Sequence, residues 1–164
     1  MTSMRYCTPE WLEENAQRYG ETPRFEEEMK RLTTKVCFQI NAKPEWGIED
    51  DIIFAAYVNQ GKLERLGFIS KENAFREADF IMSASPEEWK SLLRKKSKFI
   101  ADFMLGKVSL EKGSKVGIFN VAPHSNTFIE ALNQVELRFQ DELSPEELEE
   151  YRAYFKEFKE ELGV

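Results

Sequence analysis

The residues able to do chemistry are few and scattered. His124 is the sole histidine of the 164-residue chain and lies in Ala122-Pro123-His124-Ser125-Asn126. A histidine beside a serine suggests a base and a nucleophile. Sequence neighbours seldom face each other, however, and the chain has no G-x-S-x-G elbow. Glu26, Glu27 and Glu28 could hold a metal or act as acid and base. They fall in the first turn of an expected helix, where negative charge favours the helix dipole, and are read as a solvated helix start. Asp50 and Asp51 read as the entrance to a strand rather than as a carboxylate pair. Cys7 and Cys37 are the only cysteines. Two isolated thiols and one histidine offer no zinc-ligand spacing, so free thiols are expected, with a single disulfide as the alternative. Gly113-Ser114-Lys115-Val116-Gly117 has neither P-loop nor G-x-G-x-x-G spacing. The expectation is a protein without catalytic residues, metal or cofactor. A small hydrolase would need His124 within hydrogen-bond reach of both a nucleophile and a carboxylate.

Charge says more than the titratable residues do. The formal net charge is -7, which argues against nucleic acid as a partner of the whole molecule. Residues 90 to 115 nevertheless hold eight basic side chains against Asp102 and Glu111, a local charge of +6. Residues 141 to 164 hold nine acids against Arg152, Lys156 and Lys159, a local charge of -6. Two readings stay open. The segments are solvated helix faces that attract one another, or the basic segment touches anionic lipid headgroups, each nearby cation contributing about 1 kcal/mol. In the second reading Lys90, Arg94, Lys95, Lys96 and Lys98 are the membrane-contact candidates. No aromatic residue interleaves with an exposed basic face, which disfavours single-stranded nucleic acid. Met1 to Cys7 lacks the apolar stretch of a signal peptide, and no apolar run approaches the roughly 18 residues of a membrane span. The expectation is a soluble, cytoplasmic protein. Thirteen phenylalanines would fill a core or line an apolar cavity.

The elements that would position these residues follow from periodicity. Thr8-Pro9-Glu10 and Thr22-Pro23 read as helix starts. Trp11, Leu12, Ala16 and Tyr19 stripe the first helix, and Phe25, Met29 and Leu32 stripe a second from Arg24 to Leu32. Strands are expected at Thr34–Asn41, Asp51–Asn59 and Lys62–Ile69, the last two joined by a tight Gln60-Gly61 turn. Val36, Phe38 and Ile40 should face the core, with Lys35, Cys37 and Gln39 outward. Asp51–Asn59 is apolar on both sides and belongs inside a sheet. A fourth strand begins at Ala78. Ser85-Pro86-Glu87-Glu88 is a capping box opening a helix with Trp89, Leu92 and Leu93 on one side. Phe99, Ile100, Phe103 and Met104 stripe the next helix, which Gly106 ends before a short strand at Lys107 to Leu110. Beyond Gly113 the spacing predicts a helix over Thr127 to Phe139. A longer one opens at the capping box Ser144-Pro145-Glu146-Glu147. Leu148, Tyr151, Phe155, Phe158 and Leu162 form its heptad-like seam, which is too short for an independent coiled coil and must dock.

Three pieces of this sequence, Ala78-Asp79-Phe80, Ser85-Pro86-Glu87-Glu88-Trp89 and Phe103-Met104-Leu105-Gly106-Lys107-Val108-Ser109-Leu110-Glu111-Lys112-Gly113, resemble the sterol carrier protein 2 family of small lipid- and sterol-binding domains. The element order extends the resemblance from about Pro9 to Gly113. It implies an α/β protein of the α+β type, with a mostly antiparallel five-stranded sheet covered on one side by helices. One domain is expected over residues 1–164, with a sterol-carrier-like core at about 9–120 and a helical extension at about 125–163. The resemblance also implies an apolar tunnel between sheet and helices that holds a fatty acid, an acyl lipid or a sterol-like molecule without changing it. Phe80 and Met82 on the strand, Trp89, Leu92 and Leu93 on the next helix, and Phe99, Phe103 and Met104 after them are the expected lining. The alternative is an interaction module with a self-filled core, whose C-terminal seam docks a partner or forms an oligomer.

Overall fold

The computed structural model describes residues 3–164, so Met1 and Thr2 of the N-terminal stretch lie outside the described residues. The chain runs through β1 (Ser3–Arg5), α1 (Pro9–Gly20), α2 (Pro23–Glu28), β2 (Thr33–Ile40), β3 (Ile52–Asn59) and β4 (Lys62–Ile69). It continues through α3 (Lys71–Glu77), β5 (Phe80–Ala84), α4 (Pro86–Leu93), α5 (Phe99–Met104) and β6 (Ser109–Lys112). The last elements are α6 (Lys115–Val121), α7 (Ser125–Ala131), β7 (Glu136–Arg138) and α8 (Pro145–Leu162). Five strands form one sheet in the order β4-β3-β2-β5-β6, antiparallel except where β2 meets β5.

Register places one row of large side chains across this sheet. Phe68 lies opposite Phe54, Phe54 opposite Phe38, Phe38 opposite Met82, and Met82 opposite Leu110. Each aromatic of the row meets a ring from a covering element. Phe158 of α8 stacks on Phe68 with centroids 5.3 Å apart. Trp11 of α1 stands edge-on to Phe54 at 5.4 Å. Trp89 of α4 and Phe128 of α7 approach Phe38 at 5.7 and 6.2 Å. Aromatic pairs in these geometries add to the burial of their own area.

The opposite face of the sheet is also covered in part. Cys37, expected to point outward to solvent, is fully buried in a small cluster with Ile53, Ala55, Tyr57, Ile69 and Ile81, beneath Ala74 of α3 and Ala78. Its neighbours Lys35 and Gln39 follow the expected alternation; a crossover helix on that face makes the difference. The β3–β4 hairpin turns at Gln60-Gly61 with φ of 49° and 84°. A Cβ at Gly61 would come within 2.3 Å of the Glu26 carbonyl oxygen, so only glycine fits.

Two expected helices differ. The second is shorter, because the chain turns after Glu28, although Met29 and Leu32 are buried as expected. The helix expected over Thr127 to Phe139 ends at Ala131, and β7 follows. Val135, Leu137 and Phe139 also alternate, and strand pairing takes that pattern. β7 pairs in parallel with β1, a partner at the opposite end of the chain. Beside this link, the buried Gln140 amide donates to the Tyr6 carbonyl at 2.6 Å and the Trp11 indole N–H donates to Leu132 O at 2.8 Å.

The C-terminal seam docks on its own chain. Ser144 and Glu147 complete a capping box, and Tyr151, Phe155 and Phe158 are buried, while Leu148 is half-buried and Leu162 is about half exposed. The Tyr151 hydroxyl donates to Cys7 O at 2.8 Å, and Arg152 donates to Pro44 O at 2.7 Å and pairs with Glu49. Phe155→Ala is therefore expected to cost about 3–5 kcal/mol, the range for an emptied aromatic site in a core. Urea unfolding followed by circular dichroism measures it. A cost under about 1 kcal/mol would mean that α8 leaves the body of the protein in solution.

Candidate functional site

An apolar cavity of about 50 Å³ lies between the sheet and the helices. Its floor is Phe38, Phe54 and Met82. Trp89, Leu92 and Leu93 of α4 form one wall, Phe99 of α5 a second, and Val121 with Phe128, Ile129 and Leu132 a third. Tyr6 and Trp11 close one end, and Ser125 brings a hydroxyl among residues that are otherwise apolar or aromatic. The Trp89 indole N–H donates to Gln39 O at 3.0 Å, and the Asn133 amide donates to Leu93 O at 3.0 Å, which fixes α4 to the sheet and to the segment after α7. A dry cavity that holds benzene measures about 150 Å³. The observed void is smaller than any acyl chain.

Five of the eight expected lining residues, Met82, Trp89, Leu92, Leu93 and Phe99, face this cavity. Phe80, Phe103 and Met104 do not. Phe80 lies under the start of α6, where a Cβ on Gly113 would come within 2.5 Å of its ring and one on Gly117 within 2.9 Å. Phe103 is half-buried against Phe99, ring centroids 5.9 Å apart. Met104 is 70% exposed. The stripe Phe99, Ile100, Phe103, Met104 is too broad for a six-residue helix that buries Phe99 and Asp102, packs Phe103 partly against the core and leaves Ile100 and Met104 exposed. Sequence reasoning missed most of the remaining lining. Trp11 stood in a recognised apolar stripe, and Phe128 and Leu132 stand four residues apart in the helix expected over Thr127 to Phe139, which was the available signal, whereas Tyr6 depends on the β1–β7 pairing and had none.

The basic segment divides in two. Lys90 pairs with Asp141 at 2.9 Å and Arg94 with Glu142 at 2.8 Å, both cations lying over the Phe139 ring. Arg94 also donates to Leu137 O at 3.1 Å. These two membrane-contact candidates are thus occupied within the molecule, and the attraction between the basic and acidic segments is real at this point. Lys95, Lys96 and Lys98 are exposed and make no ion pair among the described residues.

A carboxyl pair, with Glu88 half-buried and Asp102 buried, joins α4 to α5. Ser85 caps α4 by accepting the Glu88 amide at 3.2 Å, but the expected capping box is half made, because the Glu88 carboxyl turns to Asp102. Glu88 Oε2 and Asp102 Oδ2 are both buried without a donor among the described residues. Two carboxyls so placed favour keeping one proton between them over ionising both. Burial, then the Asp102 carboxylate, pushes the Glu88 carboxyl up to about 7, with Lys107 opposing. Asp102 is held below the usual range by Glu88, with help from Ser97 and Lys107. The thiols are remote from this chemistry. Cys7 and Cys37 are unbonded, and burial raises them to about 12 and about 11, so neither is a nucleophile at neutral pH. His124 closes a turn at Ala122–His124, and no side-chain hydrogen bond engages it among the described residues.

Neither a family model nor any curated protein matches the sequence. Solved structures do match the fold. A conserved hypothetical protein of Thermus thermophilus, offered as a sterol carrier protein candidate, superposes with a TM-score of 0.71 at 16% identity, over 84% of this chain and 94% of that one. A crystal structure of sterol carrier protein 2 gives 0.68 at 16% identity, over 78% of this chain and 97% of that one. The apo form of sterol carrier protein 2 from Yarrowia lipolytica gives 0.54 at 14% identity, over 76% and 88%. The architecture, a five-stranded mostly antiparallel sheet with helices over its apolar face, is the sterol carrier protein 2 fold.

Proposed function

We propose that this protein binds a lipid-type ligand through its apolar chain, in an expanded form of the cavity above Phe38, Phe54 and Met82, and carries it unchanged. The observation that supports this reading is the apolar void between sheet and helices, on a fold shared with proteins described as sterol carriers. Each methylene buried there contributes about 0.8 kcal/mol, which favours long chains and tolerates varied ones. Met82 in the floor adapts to such variety through its flexible thioether.

At about 50 Å³ the cavity must open to admit a chain. The wall with the fewest ties is α5. It buries only Phe99 and Asp102, and it follows a loop in which Lys95 takes a left-handed φ of 58°. Its link to α4 is the carboxyl pair, which weakens when the shared proton leaves. In this reading α5 is the part that moves, while α1, α7 and β7 hold the other end.

Two measurements test the reading. Native mass spectrometry and uptake of a fluorescent fatty acid should show the wild type taking up one chain. Val121→Phe, which fills the void, should reduce uptake by an order of magnitude while leaving the circular dichroism unchanged. A wild type that takes up no acyl probe and carries no co-purifying lipid would sink the carrier reading in favour of a self-filled core.

The carboxyl pair gives a pH signature. The folded protein keeps the Glu88 proton at pH values where the unfolded chain has released it, so this pair makes stability fall as pH rises from about 4.5 to about 7. Glu88→Gln keeps the bond to Asp102 without the titration. Because solvent at the rim screens the pair, the variant should exceed the wild type at pH 8 by about 1 kcal/mol, or about 2–4 °C in Tm. The difference should shrink toward zero near pH 4.5, as read by differential scanning fluorimetry across that range. A gap that does not change with pH would show that the two carboxyls share no proton.

A further inference from the structure

The outward faces of α5 and α6 are apolar where a water-exposed surface should not be. Met104 is 70% exposed, Leu105 71%, Val116 79% and Phe119 50%, and Ile100 adds 38%. These five account for most of the large hydrophobic side chains the protein exposes. The inward residues of the same helices, Phe99 and Val121, line the cavity, and Ile118 of α6 is fully buried. The apolar surface therefore backs directly onto two walls of the candidate site.

The exposed charge around it is mainly positive, with Glu111 the exposed acid between its lysines. Lys95, Lys96 and Lys98 lead into α5, Lys107 follows it, and Lys115 opens α6. All five are exposed and none makes an ion pair among the described residues. Within the same basic segment Lys90 and Arg94 are matched by Asp141 and Glu142, so the five lysines are among those that the segment leaves unpaired among the described residues. In a protein of net charge -7, five unpaired lysines thus fall within the 21-residue stretch 95–115 that also carries Ile100, Met104 and Leu105 and leads into Val116 and Phe119. Grease ringed by cations complements an anionic bilayer, which accepts the apolar side chains below the headgroups and pairs the lysines at their level. The rest of the surface, being acidic, is repelled and sets the orientation.

We propose that the α5–α6 face docks on membranes containing anionic lipid, with Met104, Leu105, Val116 and Phe119 inserted and the five lysines at the headgroups. This rests on the carrier reading for its purpose, since docking there places the α5 wall against the lipid that would enter. It does not rest on that reading for its physics. Insertion of the apolar side chains would also draw α5 away from the protein, at the wall with the fewest internal ties.

Co-sedimentation with sucrose-loaded vesicles tests it, using phosphatidylcholine with and without phosphatidylserine. The wild type should partition at least about tenfold more strongly onto the anionic vesicles, and the difference should fade with added salt. Lys95→Glu with Lys96→Glu, and separately Leu105→Asp with Phe119→Asp, should each lower that partitioning about tenfold or more. Both double variants alter exposed side chains only, so they should unfold as the wild type does and still take up fatty acid from detergent-free solution. That uptake separates the two ideas, because loss of vesicle binding with uptake intact leaves the cavity reading standing. Wild-type protein that stays in the supernatant with anionic vesicles would overturn the proposal. So would self-association abolished by the same substitutions in sedimentation velocity without vesicles, since a second copy would then be the occupant of this face.

Discussion

The row of rings from Phe68 through Phe54 to Phe38 is the constraint on which the rest of the molecule depends. Phe38 and Phe54 stack at 5.1 Å, on strands whose pairing runs from Thr33 opposite Asn59 to Ile40 opposite Ile52. A one-residue slip in that pairing would send the whole row to the face covered by α3. That face is already filled by Cys37, Ile53, Tyr57, Ile69 and Ile81 beneath Ala74 and Ala78. α1, α4, α7 and α8 are each placed by the ring they set on the row, so these helices inherit the register of the sheet. Past the rings the row continues through Met82 to Leu110, and it is above Met82, between α4, α5 and α6, that the packing leaves a void.

The two ends of that void are held in different ways. On the side of Tyr6 and Trp11, buried hydrogen bonds tie distant pieces together, from Gln140 to the Tyr6 carbonyl, from Tyr151 to the Cys7 carbonyl, and from Trp11 to Leu132. Asn15 adds to this by accepting the Gln134 amide and offering its own carbonyl to the Gln134 side chain. Breaking any of these strands a buried polar group, which costs more than the bond itself contributes. On the α5 side there is one aromatic, one carboxyl pair and a short loop. Local opening free energies in a protein span from near zero to the global value, and they follow such differences in buried contact. In the carrier reading α5 is the wall that gives way for this reason.

What could be read from the sequence was what local chemistry decides. The caps at Thr8, Ser85 and Ser144, the Gln60-Gly61 hairpin, the doubly buried β3 and the seam of α8 each announce themselves within a few residues. The resemblance to the sterol carrier family supplied the sheet. The unread parts depend on partners far away in the chain. Val135 to Phe139 fits a helix and a strand equally, and only Ser3–Arg5, at the other end of the sequence, selects the strand. Cys37 looked outward until α3 crossed over it. Glu88 had the spacing of a capping box, but Asp102, a carboxyl on the next helix, took its side chain instead. Lys90 and Arg94 could not be separated from Lys95, Lys96 and Lys98 by sequence, since the distinction lies in where Asp141 and Glu142 come to rest.

The chemistry of the wall sets how a ligand could lie. Ser125 contributes an aliphatic hydroxyl to the lining, and no ionised group lines the cavity. An ionised carboxylate or phosphate taken inside would lose its water and find no cation, a cost that no number of methylenes on a single chain readily offsets. In the carrier reading the polar end of the ligand therefore stays at the mouth. The mouth in that reading is at α5. A chain that enters tail first need never bring its charge across the apolar wall, so entry and storage make the same demand on this edge of the fold.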